Sequence, residues 1–289
     1  MLIIINIIFL IFISLFVGFI GGLVGLGGGF LFVPIFYFVL GLDIKQCIGT
    51  SLFIIPFLSI SAAYSHFKKR LIDFKTAFTF EIGTIPGAVA GAYLTIIIPN
   101  YFLKVLFGVI LSLGAYKLLK KKEKENPINK WDESRICSNN YKIPNRLNMK
   151  RQIVTSDGTI FTYDINILKL LFLGIIAGLV SGMAGVGGGI IKVPALILLL
   201  GVPPHVAIAT SSFMIVFTAT SAALTHFLIG NVVVDVAEYC IIGALIGAQL
   251  GSKTAHRVDQ RKLRTIIGII LLIVSVRFIL ENVIYIIVP

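Results

Sequence analysis

Apolar positions run along this chain in long unbroken stretches, and short stretches between them hold nearly all of the charge. Runs of this kind lack the period of two that marks a half-buried strand, and they predict helices. An outer-membrane barrel would instead show segments of about ten residues alternating in hydrophobicity. The runs place helices at 2–24, 27–41, 44–65, 76–97 and 101–118, and again at 167–184, 187–201, 205–225, 236–253 and 265–286. The stretches 27–41 and 187–201 fall short of a hydrocarbon core of about 30 Å at 1.5 Å per residue. They read as short tilted spans or as halves of re-entrant pairs, which gives eight to ten helices. The expected fold class is an all-α integral membrane protein.

The two sets of helices are copies. At a constant offset of 160 residues, Gly25–Pro34 (GLGGGFLFVP) matches Gly185–Pro194 (GVGGGIIKVP). Thr50-Ser51 matches Thr210-Ser211, Ser61-Ala62-Ala63 matches Ser221-Ala222-Ala223, and His66-Phe67 matches His226-Phe227. Gly83, Gly87, Gly91 and Gly108 match Gly243, Gly247, Gly251 and Gly268. One register holds without a gap from Gly18 to about Ala115, so duplication is the reading. The chain divides into a first repeat (1–118), a basic linker (119–166) and a second repeat (167–289).

Composition agrees. Hydrophobic residues make up 57% of the chain and charged residues 13%, with a mean hydropathy of +0.99; soluble proteins carry about 25% charge. The net charge of +12 does not imply nucleic acid, because 21 of the 25 Lys and Arg lie in three connections beside apolar spans. These are the 66–75 loop, the region from Lys117 to Lys169, and the 253–264 loop. The positive-inside rule places all three, and hence the linker, in the cytoplasm. Their counterparts are nearly free of Lys and Arg: 226–235 has none and 93–104 has only Lys104. Equivalent loops therefore fall on opposite sides, and the expected architecture is an inverted-topology repeat. Cys47, Cys137 and Cys240 form neither a disulfide framework nor a metal spacing. The expected location is a cell membrane of the bacterial inner-membrane type, crossed many times, with the lipid bilayer as the surrounding partner.

Candidate chemistry gathers at the glycine interruptions. Backbone at membrane depth must face protein or a polar cavity. A helix restarting after Gly27, Gly28 and Gly29, or after Gly187, Gly188 and Gly189, presents a positive dipole end and free N–H donors suited to an anion. Glycine-broken segments at matching positions of two halves point to a transporter's binding site. By contrast, Gly83, Gly87, Gly91 and their copies, four residues apart, suit close helix packing. Thr50, Ser51, Thr210, Ser211 and Ser212 offer hydroxyl donors inside apolar helices. Lys192 stands where the first half has Phe32, and an intramembrane charge is a functional candidate. His66, His226 and Glu81 are candidates for gating or proton coupling, with Glu238 and Gln249 weaker. No catalytic constellation, metal cluster or nucleotide motif is present, so neither an enzyme nor a cofactor is expected.

On these residues the chain resembles the TauE/SafE sulfite exporter family. The duplicated Gly-x-Gly-Gly-Gly…Val-Pro blocks, Ala209-Thr210-Ser211 and Ser221–His226 carry the resemblance, which covers all but the linker. It departs where Gly49 replaces the alanine before Thr50 and where Phe32 stands opposite Lys192. The resemblance implies transport of sulfur-containing anions such as sulfite or sulfonates. The expected function is a secondary transporter of a small anion by alternating access; the alternatives are an anion channel and a non-transporting scaffold.

Overall fold

A computed structural model describes residues 2–24, 29–120, 148–156, 158, 160–254 and 260–287. Its helices are α1 (Leu2–Val24), α2 (Gly29–Phe38), α3 (Ile44–Lys68), α4 (Phe74–Ile97) and α5 (Asn100–Lys120). After a hairpin of β1 (Asn148–Val154) and β2 (Ile160–Asn166) come α6 (Ile167–Ala184), α7 (Gly189–Pro194), α8 (Pro204–Ile229), α9 (Val234–Thr254) and α10 (Gln260–Ile287). A π-helical turn, Ala195–Leu199, continues α7 directly after Pro194, whose ring removes a backbone donor and crowds the preceding turn. Local signals set several ends. Asp73 and Asn166 cap α4 and α6 by accepting the Thr76 and Lys169 N–H groups. Gly185 and Gly230 end α6 and α8 in left-handed conformation.

Helices α3, α4, α6, α8 and α9 are long and apolar enough to cross a membrane. Large apolar side chains such as Phe12, Phe16, Ile82, Ile97 and Leu228 point outward. That arrangement suits a lipid solvent, and the chain is an all-α multi-pass membrane protein.

The repeat is built into the packing. On α4, a Cβ at Gly83, Gly87 or Gly91 would stand 2.5, 2.5 or 2.2 Å from the carbonyl oxygens of Leu171, Ile175 and Leu179 on α6. On α9, a Cβ at Gly243, Gly247 or Gly251 would stand 2.2, 2.0 or 2.2 Å from those of Ile11, Leu15 and Phe19 on α1. Each contact is the other moved by the repeat offset. The backbones therefore touch in both seams, as small residues permit where burying apolar surface from lipid gains nothing. Each half's first helix lies against the other half's fourth. Helices α3 and α8 pack on each other, as do α5 and α10.

The linker contributes a folded element at its end. Its last part is the β1–β2 hairpin, paired antiparallel with Arg151 opposite Tyr163. Ile153, Tyr163 and Ile165 are buried in one cluster with Ala77, Phe80, Leu200, Val202 and Val206. The hairpin thus covers the end of the bundle where α3 turns into α4 and α7 turns into α8. Residues 121–147 and 255–259 lie outside the described residues, and with them much of the basic linker and part of the 253–264 loop.

Candidate functional site

The second glycine interruption needs its glycines. Gly185, Gly187 and Gly188 have φ of 73°, 70° and 82°, the left-handed region that side chains with a Cβ resist. The chain leaves α6, turns, and restarts as α7 with Gly188 as N-cap. Of the first interruption, Gly27 and Gly28 lie outside the described residues, whereas Gly29 opens α2. Ser51 brings the two together. Its hydroxyl lies 2.8 Å from the Gly185 carbonyl oxygen and 3.1 Å from that of Gly29, and its single proton is shared between them. Both interruptions therefore meet deep in the bundle.

One turn into α7, Lys192 has no exposed surface, and its ammonium donates to Glu81 Oε1 at 2.6 Å. It also contacts the Thr218 hydroxyl. Thr218 Oγ1 lies 2.9 and 2.8 Å from the two Glu81 oxygens. Three helices meet here: α4 brings the acid, α7 the base and α8 the hydroxyl. The methylene next to the Lys192 ammonium lies against the break, where a Cβ on Gly188 would be 3.3 Å from Lys192 Cε and from Ser181 Oγ. The repeat-related positions are Phe32, Leu58 and Ile241, all apolar. The bundle thus has two related interior sites, one charged and one apolar.

The hydroxyl candidates separate. Thr50 and Thr210 form clasps between the halves: Thr50 Oγ1 accepts the Val233 N–H and Thr210 Oγ1 accepts the Asp73 N–H, each at 3.0 Å. These bonds are again related by the repeat offset. Ser212 donates back to the Ile208 carbonyl at 2.9 Å, a common habit of serine in apolar helices. Ser211, the counterpart of Ser51, and Ser181 are buried with hydroxyls that find no partner among the described residues.

The histidines are not equivalent. His226 is fully buried, with Nε2 2.9 Å from the Gly182 carbonyl oxygen at the end of α6. His66 is half-buried, and its Nδ1 has no partner among the described residues.

Sequence reasoning passed over Thr218, Ser181 and the strap formed by Asp73, Arg151 and Tyr163. Thr218 differs from its repeat partner Leu58, the same signal that singled out Lys192. In the strap, Arg151 donates from Nε and a terminal nitrogen to Asp73 at 2.9 and 2.6 Å. The Tyr163 hydroxyl and the Thr76 hydroxyl each donate to Asp73 Oδ2 at 2.6 Å. Burial opposes the Asp73 charge, but the hydrogen bonds from Arg151, Thr76 and Tyr163 outweigh it and hold the carboxyl below its usual range. Burial and the neighbouring carboxylate push the Tyr163 hydroxyl up. The same carboxylate raises Arg151.

Glycine-broken segments thus meet beside a buried charge within a bundle of apolar, membrane-crossing helices. The sulfite exporter TauE/SafE family pattern matches residues 10–278, and the chain belongs to that family. It is 30% identical over 281 residues to the probable membrane transporter protein YunE of Bacillus subtilis, covering 95% of this chain and 97% of that one. It is 26% identical to the probable membrane transporter protein MJ0441 of Methanocaldococcus jannaschii, over 91% of each chain. It is 25% identical to sulfite exporter TauE/SafE family protein 6 of Arabidopsis thaliana, over 81% of this chain and 70% of that one. No solved structure matches.

Proposed function

We propose that this protein is a secondary carrier of a small, sulfur-containing anion such as sulfite or a sulfonate, working by alternating access. The observation that carries the reading is the meeting of two glycine interruptions at Ser51, with the Lys192 ammonium beside one of them. An anion there would meet a full positive charge, the unpartnered hydroxyls of Ser181 and Ser211, and backbone donors at the restart of α7. Gly187, Gly188 and Gly189 let the backbone approach. Thr50 and Thr210 serve the halves' contact rather than the anion. The family's name and its Arabidopsis member's name support sulfur oxyanions as the substrate class.

The clasps support an inverted-topology repeat. The start of α3 lies beside the turn that follows α8, and the start of α8 lies beside the turn that follows α3, so these repeat-related helices run antiparallel. The positive-inside rule then assigns the hairpin end, with Lys68, Lys69, Arg70 and Lys75, to the cytoplasm. The clasps at Thr50 and Thr210 sit towards opposite ends. Alternating access would open them one at a time, one repeat rocking against the other. His66 and His226 lie near the helix ends that such rocking would move.

The test is flux in proteoliposomes against sulfite, thiosulfate, sulfonates, sulfate and small carboxylates. Saturable exchange of sulfur anions, abolished in Lys192→Ala, is the expected result. A correctly folded protein that exchanges none of these anions would sink the reading. A channel would give non-saturating currents without counterflow.

A further inference from the structure

Resting on that anion-carrier reading, we infer that Glu81 is the coupling group: the anion replaces Glu81 at Lys192, and Glu81 takes a proton as it is released. The argument is one of charge in an apolar interior. Lys192 has no exposed surface and Glu81 only 3%. Their opposite charges cancel within 2.6 Å. Among the described residues, the groups that face Glu81 are Lys192 from α7 and Thr218 from α8; Phe80 provides a ring 5.9 Å from the ammonium. No second cation reaches the carboxylate there.

An anion that pairs with Lys192 therefore takes away Glu81's only positive partner. An unpaired carboxylate in such surroundings is expensive enough that the group neutralises instead. The balance is simple. Before binding, the site holds Lys⁺ and Glu⁻. After binding, it holds Lys⁺, the monoanion and a neutral Glu81 carboxylic acid whose proton is taken up from the bulk solution on the side from which the anion enters. Both states are neutral, so one monoanion and one proton cross together. Thr218 fits both states, because its hydroxyl can donate to the carboxylate or accept from the acid. The repeat-related trio Phe32, Leu58 and Ile241 has no ionisable group, so one site and one proton serve each cycle. A simple anion uniporter would have no need of a carboxylate beside its binding cation.

The experiment uses the full chain in proteoliposomes loaded with a pH-sensitive dye. Anion-for-anion exchange is measured first, because exchange does not depend on net proton movement and tests the carrier reading by itself. Net uptake then follows with a permanently ionised sulfonate, methanesulfonate, so that any proton that moves belongs to the protein; if the parent exchanges sulfite but not methanesulfonate, another fully ionised monoanion from the panel's sulfonates or carboxylates takes its place. Exchange, together with net uptake at a proton-to-anion ratio near one and no current under a clamped potential, is the expected parental behaviour. In Glu81→Gln the ratio falls to near zero and the remaining flux carries current. In Glu81→Asp the ratio stays near one. Exchange accompanied by net uptake without proton movement in the parent overturns the coupling while leaving the carrier standing, as does a ratio near one in Glu81→Gln. Complete loss of flux in a monodisperse Glu81→Gln also overturns it, in favour of a purely structural role. Absence of exchange for every anion overturns the carrier reading itself.

Discussion

Lys192 Nζ and Glu81 Oε1 stand 2.6 Å apart, one from each half of the duplicated chain, with the lysine wholly cut off from the surface. Such a pair holds the two halves in one arrangement and is costly to break from one side only. Truncating either partner leaves an uncompensated buried charge, whereas replacing both with apolar groups of similar size does not.

That asymmetry can be measured. Lys192→Met alone should destabilise the protein by about 3–5 kcal/mol, read as a large drop in thermal midpoint in detergent. The double variant Lys192→Phe/Glu81→Ile copies the residues at the related site, Phe32 and Ile241. It should recover most of the stability and still fail to transport. A double variant no more stable than Lys192→Met would show that the charged site cannot be repacked like its partner.

The glycine seams give a second expectation. A Cβ at Gly247 would stand 2.0 Å from the Leu15 carbonyl oxygen, whereas one at Gly114 would meet nothing closer than 3.5 Å. Gly247→Ala must push α9 off α1, and a loss of several kcal/mol is expected, comparable to an overpacked core (~1–3 kcal/mol) or worse. Gly114→Ala should be neutral. Size-exclusion profiles and thermal midpoints of the two variants, compared directly, decide it.

Thr50→Val and Thr210→Val each strand a backbone N–H that the threonine now satisfies. Each should cost about 1–3 kcal/mol. The two clasps share no partner, so the double variant should show the sum. A double variant no worse than either single one would mean that the clasps open together.

Acidification should loosen the strap at Asp73. Its carboxyl titrates lower in the folded chain than in the unfolded one, so its stabilisation is full above the unfolded value of about 3.9. It fades as pH falls through the lower, folded value. The stability deficit of Asp73→Asn relative to the parent should therefore stay constant from pH 8 to pH 5 and shrink below about pH 4. Thermal melts of both proteins across that range provide the check; a deficit that already shrinks between pH 7 and pH 5 would contradict the depressed carboxyl.

Most of the helices were legible because long apolar runs admit few alternatives: the run at 167–184 became α6 without change. The short segments were overestimated. Residues 27–41 and 187–201 contain α2 at Gly29–Phe38 and α7 with its π turn ending at Leu199, and left-handed glycines take the ends at Gly41, Gly187, Gly188 and Gly201. The hairpin was hidden by charge. Lys150, Arg151 and Asp164 mark the linker as solvated, yet Ile153, Tyr163 and Ile165 keep the alternation of a strand with one buried face. Lys192 and Glu81 were each noticeable as rare charges. Their pairing spans 111 residues of sequence and follows only from how α4 and α7 cross. His226 stands in the last turn of α8 and is buried against α6, a contact between helices that the sequence does not display.

The exchanged seams have a consequence for synthesis. Helix α4 emerges from the ribosome long before α6, the helix whose carbonyls fill its glycine face. Helix α1 waits longer still for α9, which starts at Val234. A nascent chain that has reached residue 120 thus holds two bare grooves in the bilayer and no stable first half. The two copies, although each could be translated as a unit, must mature together, and a stop between them would leave fragments destined for proteolysis rather than a working half-carrier.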